Sequence, residues 1–438
     1  MRKKWISGFM CLAVISSLLW GCGTLNNNQK GLGSQIKEDT TEEITADEEP
    51  IEISMFIASP EYEGAIDKLI EAYQKENPNI IIHYETTQND YPTMLKAKLN
   101  AGECPDIFSS TSGKEIDTYL SYSYDLSEQP LADAMTDAVK AVMTSGESVY
   151  GLSIKGNYFG IIYNQELFDK VGITEFPHTY EELVTASRKL SAAGYTPFTT
   201  GFAEWWVYKH CFQSFLDAAG NGNVEELVQN LASGKAKLSE YPEIYEDYFN
   251  FVDLAVKYSK EKPLETNLHT EMETFASGKV GMMLGQGAWV EAELRDMNPD
   301  IQLGFEGYPV NADPANCKII AGSDQALRVN RDSTVLQPTL DFLNWWYTSE
   351  YGKSWFKDIA QVIPPIKEAE APDMEIIEQG AMLEKTEGTA PLSITYATDS
   401  FQQAFGKIMQ SYVAGTIDKD TACKQIETKW IEIDGPEN

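Results

Sequence analysis

An alternation of strand and helix patterns between residues 51 and 108 constrains the fold of this chain more than any other feature. Ile51–Ile57 alternates apolar and polar residues and then becomes wholly apolar, as a strand entering a buried sheet does. Apolar residues at helical spacing follow at 65–73 and 94–99, and strand-like runs occupy 80–84 and 105–108. Strand, helix, strand, helix, strand predicts an α/β unit with a largely parallel sheet.

The same alternation continues to the end of the chain. Thr179 and Glu182 form a capping box that predicts a helix ending at Gly194. Helical patterns cover 224–232, 245–258, 336–355, 401–413 and 421–430, and strand patterns cover 278–285, 318–321 and 326–329. With 438 residues and 42% hydrophobic content, the chain is expected to form two lobes with substantial cores.

The chain is strongly acidic, with 67 Asp and Glu against 34 Lys and Arg and a formal net charge of -33. Such a chain repels phosphate backbones and anionic lipid surfaces, so nucleic acid is excluded as an expected partner. The acidity itself is typical of a protein that stays soluble at a cell surface.

The first 22 residues resemble a bacterial lipoprotein signal. Three basic residues precede an apolar run at 5–20, which is shorter than the roughly 20 residues of a spanning helix. The sequence Leu19-Trp20-Gly21-Cys22 resembles a lipobox, which implies that Cys22 carries lipid and holds the chain on a membrane. The alternative is an uncleaved signal anchor with Cys22 as an incidental thiol. Residues 23–50, rich in Asn, Gly and acidic residues, are expected to form a flexible tether.

Four cysteines follow the tether, namely Cys104, Cys211, Cys317 and Cys423. They show neither a CxxC motif nor zinc-ligand spacing, and an exported chain could pair them in three ways. Free buried thiols and disulfides both remain open.

Several segments in order resemble the carbohydrate-type extracellular solute-binding proteins of ABC importers. Residues 102–107 (GECPDI) resemble the family's G-x-x-P-D-I, residues 161–168 (IIYNQELF) its YN..LF segment, and residues 275–282 (FASGKVGM) its F..GK.AM segment. Gly287-Ala288-Trp289, Gly322-Ser323-Asp324 and Phe342-Leu343 continue the resemblance, which spans roughly residues 51–430.

The resemblance implies a two-lobed, periplasmic-binding-protein-like α/β fold of type II, with crossing segments that act as a hinge. Lobe 1 is expected to comprise 51–157 and 309–358, and lobe 2 to comprise 158–308 and 359–438. A saccharide, most simply an oligosaccharide, would bind between the lobes and be delivered to an ABC permease at the extracellular face of a bacterial membrane. The protein is expected to act as a monomer.

Aromatic residues near strand ends are the leading candidates for the ligand site, because pyranose faces lie on flat rings while sugar hydroxyls need polar partners. Trp289 follows Gly285-Gln286-Gly287, and glycines at a strand end let the backbone approach a ligand. Trp205 and Trp206 stand in a polar, glycine-containing loop. The alternatives are a helix-face Trp289 and one core residue within the Trp205-Trp206 pair.

Further candidates are small or polar residues at other strand ends. Ser109 and Ser110 follow the third strand, where N-capping of the next helix is an equally good interpretation. The remaining candidates lie after the first strand, at the first crossing, on the return and before the last helices: Ser59, Glu63, Tyr163, Asn164, Asp324 and Asp399. Asp106, Trp345, Trp346 and Trp355 are interpreted as structural.

No catalytic signature is present in the sequence: GxGxxG, GxxxxGK[ST], HExxH and GxSxG are absent. The four histidines lack metal-ligand spacing, so no metal or cofactor is expected. The sequence therefore favours a binding protein over an enzyme. A surface glycoside hydrolase or lyase, which needs only two suitably placed carboxylates, remains an alternative. So do a scaffold lipoprotein and a binding protein for a peptide or another non-sugar solute.

Overall fold

The computed structural model describes residues 49–436 except Gln88 and Glu261. The predicted signal peptide, Cys22 and nearly all of the tether lie outside the described residues. Within them, no helix is long and apolar enough to cross a membrane. The strands are β1 (Ile51–Ile57), β2 (Ile80–Thr86), β3 (Ile107–Thr111), β4 (Thr144–Ser145), β5 (Ser148–Val149), β6 (Asn157–Asn164), β7 (Thr196–Thr199), β8 (Val280–Gly287), β9 (Leu303–Glu306), β10 (Ile320–Gly322), β11 (Gln325–Val329) and β12 (Ala390–Pro391).

Helices surround these strands. They are α1 (Glu63–Glu76), α2 (Tyr91–Ala101), α3 (Lys114–Thr118), α4 (Pro130–Ala134), α5 (Asp137–Val142), α6 (Gln165–Lys170), α7 (Tyr180–Ala192), α8 (Trp205–Gly220), α9 (Val224–Ala232), α10 (Phe249–Tyr258), α11 (Leu268–Thr274), α12 (Glu291–Met297), α13 (Leu336–Thr348), α14 (Glu350–Asp358), α15 (Glu375–Glu387), α16 (Asp399–Val413) and α17 (Lys419–Asp434). Of these, α1, α2, α7, α9, α16 and α17 lie close to the helical segments predicted from the sequence.

The first lobe is built on a four-stranded sheet in the order β11-β3-β1-β2. The pairs β1-β2 and β1-β3 are parallel, as the alternation at 51–108 predicts, and β11 adds an antiparallel edge. Apolar residues of β1 and α1 pack against Trp346 and Trp355, both fully buried. These two tryptophans are therefore core residues, as predicted. Asp106 is structural too, because its carboxylate accepts from the hydroxyls of Ser54 and Ser333.

The second lobe is built on a six-stranded sheet in the order β12-β10-β6-β8-β7, with β9 paired to β6. Its largest core joins α8, α9, α10, α16 and α17. The predicted capping box is present, since Thr179 accepts from the Glu182 N–H while Glu182 accepts from the Thr179 N–H. The two sheets confirm the mixed α/β, two-lobed fold.

In the part of the chain that the structure describes, three crossings join the lobes. The first lies between Leu152, which bridges to β11, and the start of β6 at Asn157. The second lies between β10 of the second sheet and β11 of the first. The third follows Ile366, which bridges to Met135 in the first lobe. The hydroxyl of Ser323 hydrogen-bonds to Ser153 and donates to the Lys155 carbonyl at 2.8 Å, which ties the first two crossings together.

Two features differ from the sequence-based expectation. The helix predicted over 336–355 is two helices, because Ser349 ends α13 and caps α14 by accepting from the Gly352 N–H. The strand β10 lies within 309–358, which the sequence assigns to lobe 1, yet it pairs with β6 of the second sheet. Conversely, Val362 and Ile366 join the first-lobe core although the sequence assigns 359–438 to lobe 2.

Candidate ligand-binding site

A cavity of about 410 Å³ lies between the two lobes, at the carboxyl ends of β1 and β3. This is the edge at which α/β folds place their ligands. The first lobe lines the cavity with segments that follow β1, with the end of β3 and with α2 and α3. The second lobe lines it with the N-termini of α8 and α16 and with the turn after β8.

Trp289 forms part of this cavity, in the short 3-10 turn that follows β8. Its ring meets Phe159 and His210 edge-on, with ring centroids 5.3 Å and 5.8 Å away. A Cβ at Gly287 would collide with this ring and with a backbone carbonyl. The glycine therefore permits the turn that positions Trp289, which contacts apolar clusters of both lobes.

Trp205 and Trp206 both line the cavity as well. The sequence analysis places them in a loop, but they form the first turn of α8, with Glu204 as the N-cap residue of that helix. Their side chains are 8% and 6% exposed, and within the described part of the chain neither indole N–H has a hydrogen-bond partner. Two aromatic faces and two unsatisfied donors therefore lie at one end of the cavity.

Two buried lysines line the cavity beside these tryptophans. The Lys155 ammonium lies 5.0 Å from the Trp289 ring centroid and 3.8 Å from a Glu61 carboxylate oxygen. Burial opposes its charge, yet neighbouring phenolic and acidic groups raise the pKa of Lys155. Lys209 lies 5.3 Å from the Trp205 ring centroid and donates to Gln402 at 2.7 Å.

His210, one turn after Trp206, is held as a neutral ring. Burial, aided by the Lys209 charge, lowers its pKa to about 3. Its Nδ1 lies 2.9 Å from the Gly285 carbonyl oxygen and therefore donates to it. The imidazole thus supports the Trp289 ring without adding charge to the site.

The first-lobe wall is polar, and most of its groups are already hydrogen-bonded. The Ser109 hydroxyl accepts from the Ala58 N–H at 3.0 Å, and the Ser110 hydroxyl donates to a neighbouring carbonyl at 2.8 Å. Neither serine caps α3; both lie within β3, which extends to Thr111 because β11 pairs with it. Asp324, in the second crossing, lines the cavity with one carboxylate oxygen that lacks a partner among the described residues.

Asp399 lines the cavity from the first turn of α16, opposite Glu115 of α3. The Asp399 N–H donates to a Glu115 carboxylate oxygen at 3.0 Å. Burial and the nearby Asp399 charge raise the pKa of Glu115 to about 7, and burial also raises the pKa of Asp399. This contact joins the two lobes at the rim of the cavity.

Four of the predicted site residues do not line the cavity. Ser59 is fully buried behind it and donates to Gln325, which does line it. Glu63 begins α1. The Tyr163 ring packs against Phe168 and Phe176 inside the second lobe, and Asn164 caps α6.

Sequence reasoning missed Glu115, Lys155, Lys209 and His210, which share the cavity with the predicted tryptophans. No local motif marks them, since each is a single polar residue in a helix or a crossing. Their common feature is burial of a titratable side chain, which only the tertiary structure shows.

The arrangement suits non-covalent capture of a polar solute with apolar faces. Flat rings, unsatisfied donors and carboxylates line one enclosed space, as in small-molecule sites generally. Within the described residues, no group of His, Cys, Asp and Glu side chains could hold a metal ion. The four cysteines that follow the tether have free thiols.

Comparison with known proteins decides the family. The model of the bacterial extracellular solute-binding protein family matches residues 68–384, more than half of the chain. The chain belongs to this family. Its members bind solutes and do not transform them, so the protein is a solute-binding protein and not an enzyme, and the hydrolase or lyase alternative is set aside.

Individual relatives match the chain at low sequence identity. The chain is 21% identical over 360 residues to the multiple sugar-binding protein of Streptococcus mutans, which covers 81% of each chain. It is 23% identical over 287 residues to the melibiose/raffinose/stachyose-binding protein MelE of Bacillus subtilis, which covers 63% of this chain and 65% of the relative. A sugar transporter of Bacillus licheniformis, solved in complex with stachyose, superposes with a TM-score of 0.75 at 19% identity and covers 87% of this chain and 100% of that one.

Proposed function

We propose that this solute-binding protein captures a saccharide, most simply an oligosaccharide, between its lobes and delivers it to an ABC permease. The observation that carries this proposal is the cavity between the lobes, in which Trp205, Trp206 and Trp289 offer ring faces beside hydrogen-bonding groups. Sugar rings present C–H faces to such rings and hydroxyls to such polar groups.

The relatives support the same class of solute. Two of them are named for binding sugars, among them melibiose, raffinose and stachyose, and the structural neighbour holds stachyose. More than one aromatic platform also favours more than one sugar ring, because each platform covers one ring face. We infer that Trp289 and the Trp205-Trp206 pair contact different rings of one ligand, while Asp324 and Asp399 accept from its hydroxyls.

Membrane tethering through lipid on Cys22 and delivery to a permease complete the proposal. Support comes from the lipobox-like residues 19–22 and from the family, whose members are extracellular. Lipid would keep the folded part near the transporter at the outer face of a bacterial membrane.

Thermal unfolding of the full-length protein against a solute panel tests the proposal. The panel contains melibiose, raffinose, stachyose and chito-oligosaccharides, with amino acids and short peptides as controls. A solute at 100 times its dissociation constant should stabilise the folded state by about 2.7 kcal/mol and raise the Tm by a few degrees. The variant Trp205→Ala should reduce that shift if the solute lies in the cavity.

The outcomes separate the alternatives. A shift with one saccharide class identifies the solute, whereas shifts with peptides alone keep the fold and overturn the saccharide assignment. A panel without any shift speaks for a macromolecular partner, as a scaffold lipoprotein would have.

A further inference from the structure

Glu115 is an unusual residue for the wall of a sugar site, because it is only 2% exposed and its carboxyl lies at the contact between the lobes. Within the described residues, the Glu115 carboxylate accepts a hydrogen bond from the Asp399 N–H of the opposite lobe, at 3.0 Å. The residue that donates this hydrogen bond, Asp399, is itself acidic, and it also lines the cavity. Closing the lobes therefore brings two carboxyl groups together in an enclosed space.

Other contacts fasten the same rim of the cavity. Lys96 of α2 donates to Ser400 at 2.5 Å, and Asn89 donates to Glu204 at 2.9 Å. Gln403 of α16 donates to the Asn89 carbonyl at 3.4 Å. The first turn of α16 is thus held against the first lobe by several hydrogen bonds, and Glu115 lies among them.

Among the described residues, no charged side chain forms a direct ion pair with the Glu115 carboxylate. Arg328 of β11, which is fully buried, points its guanidinium at the backbone carbonyls of Glu115 and Ile116 rather than at the Glu115 carboxylate. The Lys209 ammonium donates to Gln402, and Lys114 pairs with Asp434. The remaining titratable groups that face this corner from neighbouring elements are Tyr91, Lys96, Tyr119 and Asp399.

We propose that closure of the lobes around the solute takes up a proton at Glu115, so that solute binding strengthens as the pH falls from about 8 to about 6. The proposal rests on the proposed capture of a saccharide between the lobes. It makes Glu115 a positioning residue for closure, since a protonated carboxyl can face Asp399 without the repulsion of two buried charges.

The direction follows from the two environments of the carboxyl. Separating the lobes removes the Asp399 contact and lets water reach Glu115, so its pKa should fall back toward that of an ordinary glutamate, about 4.3. In the closed lobes, burial and the neighbouring Asp399 raise its pKa to about 7. A group with a higher pKa in the closed form binds protons more tightly there, so closure is favoured below that pKa and loses this contribution as the pH rises through it.

The experiment measures the affinity of the full-length protein for raffinose and for stachyose by calorimetry between about pH 5.5 and pH 8. One linked proton with these pKa values should strengthen binding about tenfold between pH 8 and pH 6. Repeating the titration at pH 7 in two buffers of different ionisation enthalpy should show net proton uptake on binding.

The variant Glu115→Gln keeps an acceptor for the Asp399 N–H and removes the titration. Because its side chain cannot ionise, it should bind more tightly than the unmodified protein at both pH 6 and pH 8, with an affinity that no longer depends on pH. The control is Asp117→Asn on the same helix, which changes an exposed carboxylate outside the cavity and should leave the pH profile in place.

Each outcome decides the matter. Binding that is equally tight at pH 6 and pH 8 without proton uptake overturns this inference and leaves the proposed function intact. An affinity that falls on acidification also overturns it, since the solute would then hold Glu115 ionised. Failure of both sugars and the rest of the saccharide panel to bind at any pH overturns the proposed function and this inference with it. Should Glu115→Gln fail to fold, the proton uptake of the unmodified protein still decides.

Discussion

The two walls of the cavity differ in how complete their hydrogen bonding is before any ligand enters. On the second-lobe wall, the indole N–H groups of Trp205 and Trp206 lack partners among the described residues, and the Trp289 ring is only partly buried. On the first-lobe wall, the Ser109 hydroxyl and the Tyr91 hydroxyl are already engaged, the latter by three hydrogen bonds, although the Thr111 hydroxyl and one Asp324 carboxylate oxygen there lack a partner among the described residues. Binding energy should therefore come mainly from the second lobe, while the first lobe contributes by closing over the solute.

Removal of Trp289 should have the largest effect on binding. The change Trp289→Ala deletes a ring face that apolar groups of both lobes support, so we expect the affinity for the bound saccharide to fall by about 2 kcal/mol, or about thirtyfold. Calorimetric titration of the variant with the best solute of the panel measures this directly.

The matched control for that change is Trp345→Ala. Trp345 packs against Tyr73 and Tyr351 in the first lobe and does not line the cavity. It should cost stability and leave the affinity unchanged. Equal losses of affinity in the two variants would show that the Trp289 ring contributes no more to binding than a tryptophan outside the cavity.

The contrast between the walls also explains what the sequence could and could not predict. Trp289 was predicted because a strand ending in glycines and followed by an aromatic residue is a local pattern. Glu115 and Lys155 were missed because no local pattern shows that they line the cavity. Glu115 does so because α3 meets the second lobe, and Lys155 because the first crossing brings it beside Trp289. Tyr163 and Asn164 stand near the crossing in sequence, but the pleat of β6 and the start of α6 turn both away from the cavity.

The sheet boundaries show the same limit. The extension of β3 through Ser109 and Ser110 depends on pairing with β11, more than 200 residues further along the chain. Local alternation reveals that β1, β2 and β3 exist, and it gives their parallel order through the helices between them. Local alternation cannot show which distant strand forms the edge of the first-lobe sheet, nor at which residue the chain crosses back to the other lobe.

A change where the lobes approach each other closely should have an intermediate effect and should separate closure from contact with the solute. Gly113 has φ +66°, and a Cβ there would collide with the Thr395 carbonyl oxygen of the second lobe. We expect Gly113→Ala to weaken binding by about 1.5 kcal/mol, roughly tenfold, because the closed form is strained while every residue of the ligand site is retained. Calorimetry gives the affinity, and small-angle scattering at saturating solute gives the compaction.

Gly102→Ala is the control for backbone strain. Gly102 has φ +76° at the end of α2, with open space around its Cβ. It should destabilise folding to a similar degree without weakening binding. If both glycine variants bind as tightly as the unmodified protein, closure does not depend on the approach of Gly113 to Thr395.

The smallest effect on binding is expected at Ser109, which the sequence analysis names as one of the further candidates. Its hydroxyl accepts from the Ala58 N–H at 3.0 Å, and its own N–H donates to Tyr91 at 2.7 Å. Ser109→Ala should therefore lower the free energy of unfolding by about 1 kcal/mol, because the Ala58 N–H loses its acceptor, and should change the affinity by less than about 0.5 kcal/mol. Urea unfolding and calorimetry measure the two quantities separately. A tenfold loss of affinity instead would mean that the hydroxyl exchanges its internal partner for the solute, and that the first-lobe wall binds as actively as the tryptophan wall opposite.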